Sequence, residues 1–345
     1  MIKFTDRGIY CPQADVYLDP WKPVARALIT HGHADHARWG SKHYLCTREA
    51  KPVIEYRLNT ESPIEAVEYG ETVTINGVHF SFHPAGHIIG SAQIRAEYKG
   101  EVWVFTGDYK LEDDGLSAPF EAVKCDTFIT ESTFGLPVYQ WKKQAEIFDD
   151  INTWWRNNRE EGKVSVISGY SLGKAQRILS NIDPGIGKIF VHGAIDNTNR
   201  VIRDQGIVLP ETIRITKETD RKEWEGGLVL CPPSAVGSTW MRKFLPYSLG
   251  IASGWMSLRG PRRRRGADRG FALSDHVDWE GLNKAISATG AQRVYVTHGY
   301  SDIFSAYLKS TGLEAHAVKT EYEGEVEEEK EELAEMKEND ESKEG

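Results

Sequence analysis

Cysteine is scarce and spaced without pattern: Cys11, Cys46, Cys125 and Cys231 are the only four, and no two make a C-x-x-C pair. That excludes a disulfide framework and a thiolate zinc site. No apolar run approaches the roughly 18 residues that a membrane span needs. The start, MIKFTDRGIYCPQADVYLDP, has neither the basic lead nor the apolar stretch of a secretory signal. A soluble, cytoplasmic protein with no membrane partner is therefore expected. No internal repeat and no low-complexity linker precede the C-terminal tail. Net charge is missing too, once it is located. The formal total is −9, but residues 321–345 hold thirteen Asp/Glu against three Lys, which leaves residues 1–320 at +1. Such a tail is expected to be solvated, disordered or loosely helical. The body ahead of it does not repel polyanions.

What is present is enough apolar sequence for a packed core, 40% of 345 residues, arranged in two regimes. Up to about residue 135 the chain reads as strands and tight turns, with hairpins expected at Asn76-Gly77 and Lys99-Gly100. These strands are expected to form an antiparallel, half-buried sheet. Past Tyr139 the pattern changes. QAEIFDDINTWW has helical spacing, and VSVISG, SLGKAQRILSNI and KIFVHG alternate strand and helix. Residues 140–266 are thus expected to form a parallel α/β unit. From Phe271 onward strand and helix alternate again, as FALSDH, DWEGLNKAISATG, RVYVTHGY, SDIFSAYLKSTG and EAHAVK.

Against eleven histidines in the whole chain, three fall within six residues in LITHGHADHARWG: His31, His33 and His36, with Asp35 between them. Imidazole and carboxylate suit zinc and similar divalent ions. In an extended loop His31 and His33 share a side, while Asp35 and His36 follow a turn and can address a second position. Gly32 and Ala34 leave room. The spacing reads as two ions, His31 and His33 serving one, Asp35 and His36 the other. Further ligands stand at later strand ends, next to glycines: His87 in HPAGHIIGSA, Asp108 in VWVFTGDYK as a bridge, and His298 in RVYVTHGY. His83 competes with His87 for the ligand role. His43, His79, His192 and His316 lack such a context and are expected to be structural.

THGHADH, PAGHIIGS, FTGDYK and the late THGY resemble, in order, the motifs of the metallo-β-lactamase fold. The resemblance spans most of residues 1–320. It implies an α/β protein, an αββα sandwich with a dinuclear metal site at one edge of its sheets. Zinc is the first expectation, with manganese or magnesium as alternatives. Asp19 in YLDPW matches a motif whose aspartate orients ligands. FITESTFG with Glu131 and LSDHVDW with His276 resemble further motifs of the β-CASP nucleases, in which an α/β domain is inserted and the active site lies in the intervening cleft. The resemblance implies domains at 1–139, 140–266 (the insert) and 267–320, followed by the acidic tail 321–345. Glu131 would hold and polarise His276, which would protonate the leaving oxygen. Asp35 joins these two in the catalytic set.

Phosphate contacts are expected from the insert. Ser168, Ser171 and Lys174 lie before or at the start of a helix, where backbone N–H groups suit an anion. RGPRRRRGADRG carries Arg259, Arg262, Arg263, Arg264, Arg265 and Arg269, the densest basic run in the chain. GIYCPQADVYLDPW, ESTFGLPVYQW, ASGWMSLRGPRRRR and LSDHVDW together resemble the bacterial ligase-associated DNA exonucleases, relatives of the Artemis-like DNA repair nucleases. That implies a DNA substrate, a 5′→3′ direction, and partnership with an ATP-dependent DNA ligase and a helicase. His298 points the other way, toward the RNA-processing members. A thioesterase or lactonase would share the metal motifs without needing Glu131, His276 or the arginine run. A non-catalytic metal-stabilised protein would be expected to lack a ligand or the acid.

Overall fold

Val78, Phe80 and Phe82 alternate along one strand, and all three are buried in a core shared by two sheets. The computed structural model describes residues 1–258 and 266–322. Those residues divide into two compact units, Met1–Gln140 with Asp275–Tyr322, and 141–258 with 266–274.

In the first unit, one sheet holds β1 (Lys3–Phe4), β2 (Ile9–Cys11), β3 (Val16–Leu18), β4 (Ala27–Leu28), β5 (Tyr44–Thr47) and β6 (Ile64–Val67), in that order. The other contains β7 (Thr72–Ile75), β8 (Val78–Pro84), β9 (Ala92–Tyr98), β10 (Glu101–Phe105) and β11 (Thr127–Ser132). After the insert it gains β18 (Arg293–Gly299) and β19 (Glu314–Ala317), in the order β19-β18-β11-β10-β9-β8-β7. Their inner faces share Leu18, Leu28, Phe80, Ile94, Phe105 and Ile129. The outer faces are covered by helices. Helix α1 (Lys51–Leu58) packs on Ala27, Ile29 and Tyr44. The late helices Trp279–Thr289 and Ser301–Ser310 pack on Val104, Phe128, Val294 and Val296. Period-two alternation thus produces the αββα sandwich.

The hairpins fall where expected. Asn76 and Gly77 (φ 48° and 82°) and Lys99 and Gly100 (φ 52° and 83°) are left-handed at both turn positions, which suits the strand twist. The single antiparallel sheet does not form. Strands β3 to β6 run parallel to one another, and β10 runs parallel to β11, because long crossings, not tight turns, connect them. One crossing contains α1, whose Pro52 near its start and left-handed Asn59 at its end are helix boundary signals.

In the second unit six strands are all parallel: β12 (Val164–Ser168), β13 (Ile189–Val191), β14 (Ile213–Arg214), β15 (Leu228–Cys231), β16 (Tyr247–Ala252) and β17 (Arg269–Phe271), in the order β14-β13-β15-β12-β16-β17. Helix α2 (Gln144–Glu160) buries Ile147, Phe148, Ile151 and Trp155 against the sheet, the stripe that its spacing predicts. α3 (Lys174–Asn181) joins the same layer through Ala175, Ile178 and Leu179. FALSDH is strand only at its start. Because β17 pairs with β16, the chain rejoins the first unit at Asp275 and not at 267. No helix among the described residues is long and apolar enough to cross a membrane.

Candidate metal centre

Strand direction gathers the site. β8, β10, β11 and β18 run the same way in their sheet, so their C-terminal ends share one edge. His87 follows β8, Asp108 follows β10, Glu131 sits near the end of β11, and His298 is the penultimate residue of β18. From the other sheet, Asp19 follows β3 and the histidine loop follows β4. A backbone bond from Ala92 N to Thr30 O (2.9 Å) ties the two sheets together there. After His33 the chain turns, with His36 N and Ala37 N both donating to His33 O. Two glycines make the packing feasible. Gly107 (φ +56°) would place a Cβ 2.4 Å from Thr30 Oγ1, and Gly299 (φ +87°) one 2.3 Å from Ser132 O.

Asp108 is the hub. Its Oδ2 lies 3.6 Å from His31 Nε2, 3.4 Å from His36 Nε2 and 3.9 Å from His87 Nε2, while its Oδ1 lies 3.0 Å from His298 Nε2. Donor atoms of His31, His33, His87 and Asp108 all fall within 4.8 Å of one another. Asp35 Oδ2 stands 3.6 Å from His36 Nε2 on the other side. His31 sits between the two groups, its ring centroid 4.9 Å from His33, 4.8 Å from His87 and 4.2 Å from His36.

Hydrogen bonds aim these rings. Thr30 Oγ1 gives its only proton to Asp19 Oδ2, so it accepts from His31 Nδ1 at 2.9 Å and leaves Nε2 with its lone pair free to face the cluster. Thr297 Oγ1 likewise donates to Thr130 O and accepts from His298 Nδ1 at 3.3 Å. His36 Nδ1 donates to Asp19 Oδ2 at 2.7 Å, and His87 Nδ1 to the Asp275 carbonyl at 2.9 Å. Asp19 also groups with His31 and His36 as a conceivable ligand set, but Thr30 and His36 occupy its carboxylate. It orients His36, as metal-site carboxylates do.

Inside this frame, seven side-chain atoms among the described residues are buried with no hydrogen-bond partner: His31 Nε2, His36 Nε2, His298 Nε2 and both oxygens of Asp35 and of Asp108. Each buried orphan costs about 1–3 kcal/mol. Seven would consume most of the roughly 5–15 kcal/mol of net stability a fold possesses. Divalent cations remove that cost, and neutral imidazoles with carboxylates are their usual donors. Burial works against the charge on Asp35 and Asp108, yet His36 foremost outweighs it, and both carboxyls stay below the usual range, Asp108 well below. Burial, then His33, drives His87 down to about 3. Burial likewise carries His31 well below the ordinary value. The buried His/Asp cluster fits a dinuclear metal site.

Beside it, His276 Nδ1 lies 2.9 and 3.1 Å from the two Glu131 oxygens. Glu131 is fully buried and also accepts from Tyr109 N at 2.9 Å. The sequence reading did not include Thr30, Thr297, Tyr109 or the Asp275 carbonyl. Thr30 and Thr297 each directly precede a candidate ligand histidine, the one signal they offered. His83 is elsewhere, between Ser81 Oγ and Glu121. His192 caps the helix Gly193–Arg203. The acidic tail does not begin at Glu321, because Tyr322 is buried, 6% exposed.

In the second unit Ser168 ends β12. With Tyr170, Pro233, Val236, Ile251 and Ser253 it lines a cavity of about 270 Å³ at the carboxyl ends of the parallel strands, where such sheets bind ligands. Lys174 is fully buried, its Nζ donating to the Leu273 carbonyl at 3.0 Å. The Ser171 carbonyl accepts from Gln176 Nε2 at 2.9 Å. Arg259, Arg262, Arg263, Arg264 and Arg265 lie outside the described residues, and Arg269 pairs with Asp150 at 3.6 Å.

No family model matches the chain. Over 92% of its length it is 31% identical to a protein of Opitutus terrae named "Probable DNA ligase", of which it spans 31%. Over 49% it is 32% identical to "Endoribonuclease YSH1" of Gibberella zeae, spanning 20% of that protein. Over 46% it is 27% identical to "Cleavage and polyadenylation specificity factor 73" of Drosophila melanogaster, spanning 24%. The chain is a metallo-β-lactamase/β-CASP nuclease relative. It corresponds to a third or less of the length of each of these curated relatives. A crystal structure of a protein of unknown function from Enterococcus faecalis shares the fold, with a TM-score of 0.57 over 79% of this chain and 74% of that one, at 12% identity. These matches to nuclease-named proteins stand beside a buried His/Asp cluster that fits metal ions.

Proposed function

We propose that this chain is a metal-dependent DNA exonuclease, working 5′→3′ in DNA repair beside an ATP-dependent DNA ligase and a helicase. The observation that carries the reading is one buried edge holding both the orphaned His/Asp donor set and the Glu131–His276 pair. His31, His33, His87 and Asp108 would hold one ion; Asp35, His36, Asp108 and His298 the other. Divalent ions there would supply a nucleophile near neutral pH and draw charge from a phosphoryl group. Glu131 holds His276 by Nδ1, which leaves the other ring nitrogen to hand a proton to the departing sugar oxygen. Ser168, Ser171 and the arginines Arg262, Arg263, Arg264 and Arg265 would grip phosphates. Lys174 contributes by holding Leu273, its ammonium being taken up there.

DNA is favoured because the match that covers 92% of the chain is to a protein named for DNA ligation. Cleavage of RNA is the second reading, favoured by the endoribonuclease names of relatives that match up to half the chain. The test is to incubate zinc- or manganese-loaded protein with 5′- and 3′-labelled DNA, single- and double-stranded, and with RNA of the same sequence. Stepwise loss of DNA from the 5′ end, stopped by a chelator, is the expected result. Cleavage of RNA alone would move the assignment to RNA, and cleavage of neither would return it to the small-molecule hydrolases.

A further inference from the structure

The acidic C-terminal stretch opens on a residue unlike the rest of it. The ring of Tyr322 lies flat against His36, centroids 4.6 Å apart and planes 8° apart, and meets His298 at 5.6 Å and 76°. Trp21 closes on it from another side at 5.6 Å and 84°. Its hydroxyl donates to the backbone carbonyl of Asp19 at 2.9 Å, the residue whose carboxylate holds His36 Nδ1. One residue earlier, the Glu321 carbonyl accepts from Arg38 Nη2 at 2.8 Å, and Arg38 Nε donates to the Asp35 carbonyl at 3.2 Å. The segment is therefore tied to both sides of the histidine loop.

We infer that Tyr322 is a positioning residue for the metal centre, fixing the ring planes of His36 and His298. The inference rests on reading the cluster as a metal centre. A single bond at Nδ1 anchors an imidazole at one point and leaves the ring free to swing about it. The Tyr322 face removes that swing for His36. For His298 the Nδ1 contact to Thr297 is long, 3.3 Å, and the Tyr322 edge is a second constraint on the ring. These two histidines come from residues 36 and 298, so the tyrosine aligns donors that no local stretch of chain could hold in register. It touches no reacting atom and acts only through the ligands.

The test uses the full chain as Tyr322→Met, Tyr322→Leu and Tyr322→Phe. Zinc affinity is measured by competition with a chromophoric chelator, and melting is followed with zinc and with EDTA. Groups that orient metal ligands carry about 10–100-fold in affinity, so Met and Leu should weaken one of the two ions by about tenfold or more. They should also shrink the rise in melting temperature that zinc produces. Tyr322→Phe keeps the stacked ring and should recover most of both. A residue that merely fills space would lower both melting temperatures equally and leave zinc affinity unchanged; that result overturns the inference. So does failure of both Met and Leu to fold even with zinc, which assigns Tyr322 to the core. A parent chain that binds no zinc removes the metal-centre reading itself, a separate outcome.

Discussion

Two groups of buried charged and polar side chains, one in each unit, are met in different ways. In the second unit Lys174 donates to the Leu273 carbonyl and Arg177 to Gln144 Oε1 and the Ser274 carbonyl. Gln176 bonds Gly173 N, the Ser171 carbonyl and Asn199. In the first, His31, His36, Asp35 and Asp108 are buried and His298 partly so; the Nε2 atoms of the three histidines and both oxygens of each carboxylate meet no hydrogen-bond partner, while the three rings are held through Nδ1. A buried polar group that is fully bonded is packing. One whose back is bonded and whose front is bare is prepared for something else, since leaving it bare is costly. Burial alone does not separate the two kinds; the direction of the unmet atom does.

That contrast can be broken by substitution. Asp108→Ala removes the hub and should abolish metal retention, and with it hydrolysis; metal analysis after dialysis checks it, and a variant that keeps both ions breaks the comparison. Next comes His276→Ala, which leaves the donor set whole. It should keep its metal while turnover falls by about 10²–10⁴-fold, the usual worth of a placed general acid, read from rates and metal content on one sample. Lys174→Met should do the reverse. It leaves metal content unchanged and costs about 1–3 kcal/mol in denaturation by orphaning a carbonyl. Lost substrate affinity with intact stability would instead return Lys174 to the phosphate contacts.

The smallest effect lies in the thiols. Burial pushes Cys46 up to about 12 from 9.0. Below the lower value both states keep the proton. Between the two only the unfolded chain releases it, so stability falls as pH rises. Moving from about pH 8 to about pH 10 should cost the parent about 1 kcal/mol more than Cys46→Ala. Equal losses in urea titrations would show that the thiol is not shielded.

Much of the first unit was legible because its signals are local. Asn76-Gly77 dictates a turn by backbone conformation, and the histidine loop gathers four candidate donors in six residues. Asp108 and His298 were legible as strand-end residues beside glycines. Strand direction was not, because parallel pairing is decided by where a long crossing lands and not by the residues that cross. Thr30 and Thr297 were hidden for a similar reason: a hydroxyl's role depends on which partner takes its proton. Tyr322 was hidden by its neighbours, as composition averaged over an acidic stretch conceals one aromatic that turns inward. Lys174 shows the converse, a plausible anion contact by sequence that tertiary packing drew inside.

The position of β18 between β11 and β19 has a consequence for synthesis. By residue 140 the emerging chain carries His31, His33, Asp35, His36, His87, Asp108 and Glu131, but neither His276 nor His298. Those two arrive only after the whole insert has been made. The proposed donor His298 and the proposed proton source His276 therefore join last, and a fragment ending before them lacks part of the proposed centre. The order of the chain thus completes the proposed centre only after the insert has been made.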